Sequence, residues 1–179
     1  MKTVNKIKNL VDSYEDEIIK SLQEIIKIKS VEEAPKPGMP FGEGPYRALE
    51  NALILSEKIG FKTKNLDGYV GYAEYGEGEE TVGVLVHLDV VPEGKDWTYP
   101  PYGGEVHDGK IYGRGAIDDK GPAIAAIYAL KAIKESNVPL KRKIRIIFGT
   151  NEETGWGCMD YYFKREESPT MAFTPDANF

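Results

Sequence analysis

Thr81–Lys120 reads TVGVLVHLDVVPEGKDWTYPPYGGEVHDGKIYGRGAIDDK, and the reading of this stretch decides the fold. Its opening run, Val82-Gly-Val-Leu-Val86, is unbroken and apolar, the pattern of a parallel strand buried on both faces. The run ends in His87-Leu88-Asp89, so polar groups arrive at the carboxyl end of a strand, where open α/β sheets place their ligand sites. Side chains alternate along a strand, so His87 and Asp89 point the same way. The carboxylate can then accept a hydrogen bond from the imidazole and hold its metal-binding tautomer. Further on, Tyr112-Gly-Arg-Gly-Ala-Ile-Asp118-Asp119-Lys120-Gly121 is a glycine-rich turn that sets two adjacent carboxylates ahead of an apolar helix. Imidazole nitrogen together with carboxylate oxygen suits zinc or a similar divalent ion.

Upstream, Ile7, Leu10, Val11, Tyr14, Ile18, Leu22, Ile25 and Ile26 recur at three- and four-residue intervals between charged residues, which predicts one amphipathic helix over 4–28. The prolines and glycines of Glu32–Pro45 predict a long loop. A helix over Tyr46–Ile59 follows, with Leu49, Leu53 and Ile54 inward and a stop at Gly60. Phe61–Leu66 and Tyr69–Tyr75 read as strands joined through Asp67-Gly68, a dipeptide that favours a tight hairpin. Pro92–Gly104 reads as an ordered loop, because Trp97, Tyr99 and Tyr102 need something to pack on, and Val106–Tyr112 returns as a short strand around Asp108-Gly109. Lys120–Ser136 is a strong helix, largely buried, with Ile124, Ile127, Leu130 and Ile133 among alanines and Pro122 tolerated in its first turn. Ile144–Phe148 and Met171–Phe173 are further strands, ending in Glu152-Glu153 and in Pro175-Asp176. Strands alternating with helices argue an α/β fold, a mainly parallel mixed sheet flanked by helices.

The 179 residues, 41% of them hydrophobic, suffice for one core and one domain. Net charge is −6, and the densest basic stretch, Lys141–Lys143 with Arg145, leads straight into an apolar run as a solvated strand entry would, which argues against nucleic-acid binding. Cys158 is the single cysteine, so neither a disulfide within one chain nor a thiolate zinc cluster can form, and a reducing cytoplasm is the expected location. The amino terminus, MKTVNKIKNLVDSYEDE, lacks the apolar core of a signal peptide, and no run of apolar residues reaches membrane-spanning length. Export and membrane insertion are therefore not expected.

Three apolar strands thus end in titratable groups, His87/Asp89, Glu152/Glu153 and Asp176, with Asp118/Asp119 on a turn between them. Parallel strands bring their carboxyl ends to one edge, so these groups converge. Taken singly, the plainer readings are favoured: His87 as a hydrogen-bonded core histidine, Asp119 as a helix cap and Glu152/Glu153 as a solvated loop. Together, repulsion and desolvation make the set costly unless cations sit among them. His107 reads as an exposed turn histidine, Gly113 and Gly115 as backbone devices, Arg114 as an ion-pair partner or an anion contact, and Cys158 as inert.

His-x-Asp, then Gly-Arg-Gly-Ala-x-Asp-x-Lys-Gly, then Glu-Glu-x-Gly, then Pro-Asp resembles the metal motifs of the dinuclear zinc hydrolases that include aminoacylase, carnosinase and carboxypeptidase G. FGEGPYRALENAL, TKNLDGY, GYAEYGEGEE, HLDVVPEG, RGAIDDKGP and NEETGWGCMDYYFKREE look closest to PepV-type bacterial dipeptidases, and nearly the whole chain is covered. The resemblance implies a zinc-exopeptidase-like catalytic domain, two zinc ions (manganese or cobalt as substitutes) and hydrolysis of dipeptides or short peptides. By position it implies that His87 binds one zinc, Asp118 bridges both, Glu153 binds the second and Asp176 completes the first. Asp89 would orient His87 and Glu152 would be the general base. Asp118 is taken as the bridge because relatives with one acid here keep it at the first position, and a cis peptide tends to follow it. Family members are more than twice this long, with a lid domain and a further metal-binding histidine near the carboxyl terminus. The expectation is accordingly that residues 1–179 form the amino-terminal part of the catalytic domain, inactive alone and prone to self-association through exposed apolar surface. An N-acyl or N-succinyl amino acid deacylase with the same metal chemistry, and a non-catalytic remnant or interaction module, are the alternatives.

Overall fold

A computed structural model describes residues 2–176. The amphipathic amino-terminal stretch forms two helices, α1 (Lys2–Ser13) and α2 (Glu15–Ile26), where one was expected over 4–28. Tyr14 breaks them with φ −97° and ψ 9°. Its ring is buried beside Tyr128 and its hydroxyl donates to Glu135 Oε2 at 2.5 Å, so the bend seats Tyr14 in the core. The next helix, α3 (Glu43–Ile59), starts earlier than the expected Tyr46. Pro45 lies in its first turn, where backbone N–H groups have no intrahelical acceptor, so the missing donor costs nothing. Leu49 and Leu53 face inward as expected, but Ile54 is 47% exposed. Gly60 closes the helix at φ 90°.

β1 (Lys62–Leu66) and β2 (Val70–Tyr75) pair antiparallel through Asp67-Gly68, both at positive φ, a turn whose twist matches its strands. β3 (Thr81–His87) follows. The aromatic loop after it is ordered on its own contacts: Trp97 Nε1 donates to Glu93 O at 2.6 Å and the Tyr102 hydroxyl to Glu93 Oε2 at 3.0 Å. β4 (Glu105–His107) and β5 (Lys110–Tyr112) then make a separate hairpin rather than one short strand. α4 (Lys120–Ser136) has the expected bounds, and β6 (Lys143–Gly149) follows it. α5 (Gly157–Phe163) was not expected, and β7 (Met171–Phe173) is the last strand of the described residues.

Among the described residues the sheet runs β1-β2-β6-β3-β7. β3 is parallel to β6 and to β7, while β2 is antiparallel to β6 and to β1, so the sheet is mixed, as expected, with β2 opposing the other four strands and two of the four ladders parallel. Alternation along β6 serves two cores: Ile146 and Phe148 pack with Leu49, Leu53, Ile124 and Ile127 of the helical face, and Ile147 packs with Cys158, Met159 and Tyr162 under α5. Arg145 is buried rather than solvated, held by Glu74 at 2.7 Å and the Tyr162 hydroxyl at 2.9 Å with its guanidinium 4.0 Å from the Tyr72 ring. In register, His87 lies beside Gly149, which brings the segments leaving β3 and β6 to one edge. α4 is less buried than its sequence implies, because Ala125, Ala129 and Ile133 look onto an apolar groove.

Candidate metal centre

The site is built where the strand ends run out. His87 closes β3 and is 1% exposed. Leu88 N donates to Gly149 O at 2.9 Å, which keeps the two strand ends together one residue past the ladder. The cap turn 113–119 reaches the same edge, and its Asp118–Asp119 peptide is cis.

His87 Nε2 lies 2.9 Å from Asp118 Oδ1, 3.6 Å from Asp176 Oδ2 and 3.9 Å from Glu152 Oε2. Two groups of three have ligand atoms all within 4.8 Å of one another: His87, Glu152 and Asp176, and His87, Asp118 and Glu153. His87 belongs to both. The structure therefore brings together every residue given a site role from sequence: Asp89, Glu152, His87, Asp118, Glu153 and Asp176.

One contact differs from expectation. His87 Nδ1 is 3.0 Å from the main-chain oxygen of Asp89 and 3.4 Å from its carboxylate Oδ1, so the closer partner is the backbone. The strand has ended by Asp89, and strict alternation no longer sets where its side chain points. Both carboxylate oxygens instead accept main-chain N–H bonds, from Glu152 to Oδ1 and from Glu153 to Oδ2, each at 3.1 Å. A carboxylate that is 1% exposed thus holds the amides of two acidic residues of the site.

The charge state follows from this crowding. Burial works against a proton on His87, but the hydrogen bond to Asp89 and the charges of Asp89, Asp119 and Asp118 outweigh it and hold the imidazole up at about 9. Burial raises the Glu152 carboxyl above its ordinary range; the His87 charge opposes this, while Asp176, Asp89 and Asp118 add to it. Burial and then the neighbouring Asp118 raise Glu153. Asp119 occupies the N-cap position of α4, yet it makes no capping bond, contrary to the cap reading. Its Oδ2 accepts the His87 main-chain N–H at 3.0 Å, its Oδ1 is buried without a partner among the described residues, and burial pushes its carboxyl up to about 7. Lys120 beside it is wholly buried, donates to Ile28 O at 2.7 Å, and is lowered by burial to about 7. The donor set, one imidazole nitrogen among carboxylate oxygens that raise one another, holds more negative charge than a single imidazolium offsets and fits a divalent cation in its place.

Sequence reasoning gave no site role to Asp119 or Lys120; their signal was adjacency to Asp118 ahead of the helix. His107 is outside the site and only partly exposed, stacked on Tyr99 with ring centres 3.8 Å apart and its Nε2 2.8 Å from Glu105 Oε2. Arg114 makes no ion pair among the described residues. Its guanidinium lies 5.5 Å over the Trp97 ring and approaches the Pro92 and Glu93 carbonyls at 3.4 Å. Cys158 is buried, with its thiol pushed up to about 11, consistent with an inert role.

A parallel-strand edge that gathers one imidazole and several carboxylates defines the chain as an α/β protein with a candidate divalent-cation centre. The chain belongs to Peptidase family M20/M25/M40, whose model matches residues 83–178, more than half of its length. "Putative dipeptidase YtjP" of Bacillus subtilis (strain 168) is 53% identical over 166 residues, covering 92% of this chain and 36% of the relative. A Staphylococcus aureus (strain USA300) chain that also carries a dipeptidase name is 43% identical over 174 residues, 96% of this chain and 37% of that one. Among solved structures, human carnosine dipeptidase 1 superposes with a TM-score of 0.84 at 27% identity, over 98% of this chain and 41% of that one. The M20 family metallo-carboxypeptidase Sso-CP2 of Sulfolobus solfataricus gives 0.63 at 27% identity, over 76% and 31%. The chain thus spans little more than a third of the length of the curated relatives it matches. The family resemblance read from the motifs is borne out. No helix of the described residues is long and apolar enough to cross a membrane.

Proposed function

We propose that this chain carries the amino-terminal half of the active site of a metal-dependent dipeptidase, acting on dipeptides or short peptides, with zinc as the expected ion and manganese or cobalt as substitutes. The observation that carries the reading is His87 shared between two donor groups at the carboxyl ends of parallel strands. The dipeptidase names of the relatives and the likeness to carnosine dipeptidase 1 favour peptides over N-acyl amino acids.

In this reading His87, Asp118, Glu153 and Asp176 would hold the metal, Asp118 being the ligand that a second ion would share. A divalent cation there would lower the pKa of a water and polarise the scissile carbonyl. His87 presents Nε2 because its Nδ1 faces Asp89. Glu152, 3.9 Å from His87 Nε2 and raised above the ordinary carboxyl range, would act as the general base, accepting a proton from water and returning it to the leaving amine. Asp89 fixes where Glu152 and Glu153 begin, through their amides. Residues 1–179 are the amino-terminal part of the catalytic domain, and a reducing, cytoplasmic setting fits the single buried Cys158.

The test is Glu152→Gln in the full-length protein. Metal content should be unchanged while turnover of a dipeptide falls on the order of a hundredfold or more, the loss expected of a positioned base. Unchanged turnover removes Glu152 from that role.

A further inference from the structure

The loop between α2 and α3 reaches back over the site. Ser30 is fully buried; its hydroxyl donates to Leu88 O at 2.6 Å and its carbonyl accepts Val90 N at 3.1 Å, so the loop is stitched beside the end of β3. Two residues on, Glu32 Oε2 accepts the Thr154 hydroxyl, and it accepts Asn151 Nδ2 at 3.3 Å. Asn151 and Thr154 bracket Glu152-Glu153 in the chain. Asn151 is 5% exposed and also closes this turn on itself: its Nδ2 lies 2.6 Å from Thr154 Oγ1, its Oδ1 accepts Gly157 N at 3.0 Å, and its carbonyl accepts Trp156 N at 2.7 Å. The acidic pair is therefore gripped from two sides. Asp89 takes the two amides from the sheet side, and Glu32 takes the two flanking side chains from the α2–α3 loop. Glu32 also lines a cleft of about 520 Å³ whose walls include Val90, Asp89 and Glu153.

We propose that Glu32 is a positioning residue for the Glu152-Glu153 turn, acting through Thr154 and Asn151, and that it couples the loop walling this cleft to the groups that do the chemistry. Its catalytic consequence rests on the role proposed for Glu152 and Glu153; its mechanical consequence does not. An ion pair at this exposed position would contribute little, but a carboxylate accepting two neutral donors that flank a base controls geometry, and a displacement of about 1 Å at a reacting group can cost up to a hundredfold in rate.

Two measurements test this. The first is hydrogen exchange of the 179-residue chain. In Glu32→Ala and in Thr154→Val, exchange at the Glu152 and Glu153 amides should rise by about tenfold with little change in melting temperature, and the double variant should fall well short of the sum of the single effects, because both changes remove the Glu32–Thr154 contact. Glu32→Gln keeps an acceptor oxygen and should behave as wild type, and it carries the comparison if Glu32→Ala does not fold. The second uses the full-length protein: kcat for a dipeptide should fall by about tenfold in Glu32→Ala with KM nearly unchanged, and Glu32→Gln should restore it. Additive effects, unaltered exchange at Glu152 and Glu153, or a kcat loss that merely follows melting temperature would overturn the proposal. If wild type hydrolyses no peptide, the dipeptidase reading fails and the exchange measurement alone decides the role of Glu32.

Discussion

His87 meets Asp89 on one ring nitrogen and a fan of carboxylates on the other, and this sets the proton traffic of the site. With its imidazole held up at about 9, the ring carries a proton at neutral pH until a cation takes its place. Metal affinity should therefore rise with pH and level off near 9, with about one proton released per ion bound at pH 7.5. Calorimetry in buffers of different ionisation enthalpy reads that number, and zero release would contradict the assignment. Stability of the metal-free chain runs the opposite way with pH. A folded-state pKa above the ordinary 6.5 means that the contribution of protonated His87 is complete below about 6.5 and is lost as pH rises through about 9. Lys120 works the other way, since its lowered value means stability gained as pH rises from about 7 toward 10.5. The comparison must then be of the metal-free chain with His87→Gln, and the difference in melting temperature should shrink between pH 6.5 and 9. That His87, Asp118, Glu152, Glu153 and Asp176 would gather at one edge was legible in the sequence, because each follows an apolar run or a glycine turn, whereas the buried Asp119 and Lys120 were not singled out for the site. The grip of Asp89 on the amides of Glu152 and Glu153 was not legible, since it depends on where two loops cross after their strands end.

At the scale of elements, α4 and the turn before it decide where Asp118 stands. Gly121 sits in the first turn of α4, and a Cβ there would come 2.1 Å from Ala116 O, a backbone atom of that turn. Gly121→Ala must therefore move the turn, and it should cost roughly 1–3 kcal/mol, as overpacking does, and weaken zinc binding as well. Gly109, at φ 71° in the β4–β5 turn, has nothing within 4 Å of a built Cβ. Gly109→Ala should cost only about 1 kcal/mol of left-handed strain and leave zinc affinity unchanged. Denaturant midpoints and metal titrations on both variants check the contrast, and equal zinc affinity in Gly121→Ala would detach the turn from the site. Long periodic segments such as α4 were legible to their ends. The seven residues of α5 were too few to show a helical period, and the break at Tyr14 was hidden because apolar spacing continues across it. Pro45 misled in the other direction, since a first-turn proline resembles a loop proline in sequence.

Among the described residues the sheet is covered on one face by α3 and α4, with α1 and α2 packed on α4, and on the other by α5, while an apolar groove of about 600 Å³ lies between α4 and the strands β3, β6 and β7. Phe173 and Ile117 on its rim are 57% and 68% exposed. Apolar surface of this extent drives association, so the 179-residue chain should sediment as concentration-dependent oligomers, and Phe173→Asp with Ile117→Asp should return it toward monomer. Concentration-independent monomer in the parent chain would contradict this. That groove was only half legible: the apolar stripes showed in the sequence, but which of them would find partners depends on the strand order. The account rests above all on the claim that His87, Asp118, Glu152, Glu153 and Asp176 surround a divalent-cation site. Anomalous diffraction at the zinc edge from crystals grown with zinc tests it most directly. A peak bonded to His87 Nε2 and to carboxylate oxygens of Asp118, Glu153 or Asp176 is the predicted result; peaks elsewhere, with none at His87, would contradict it.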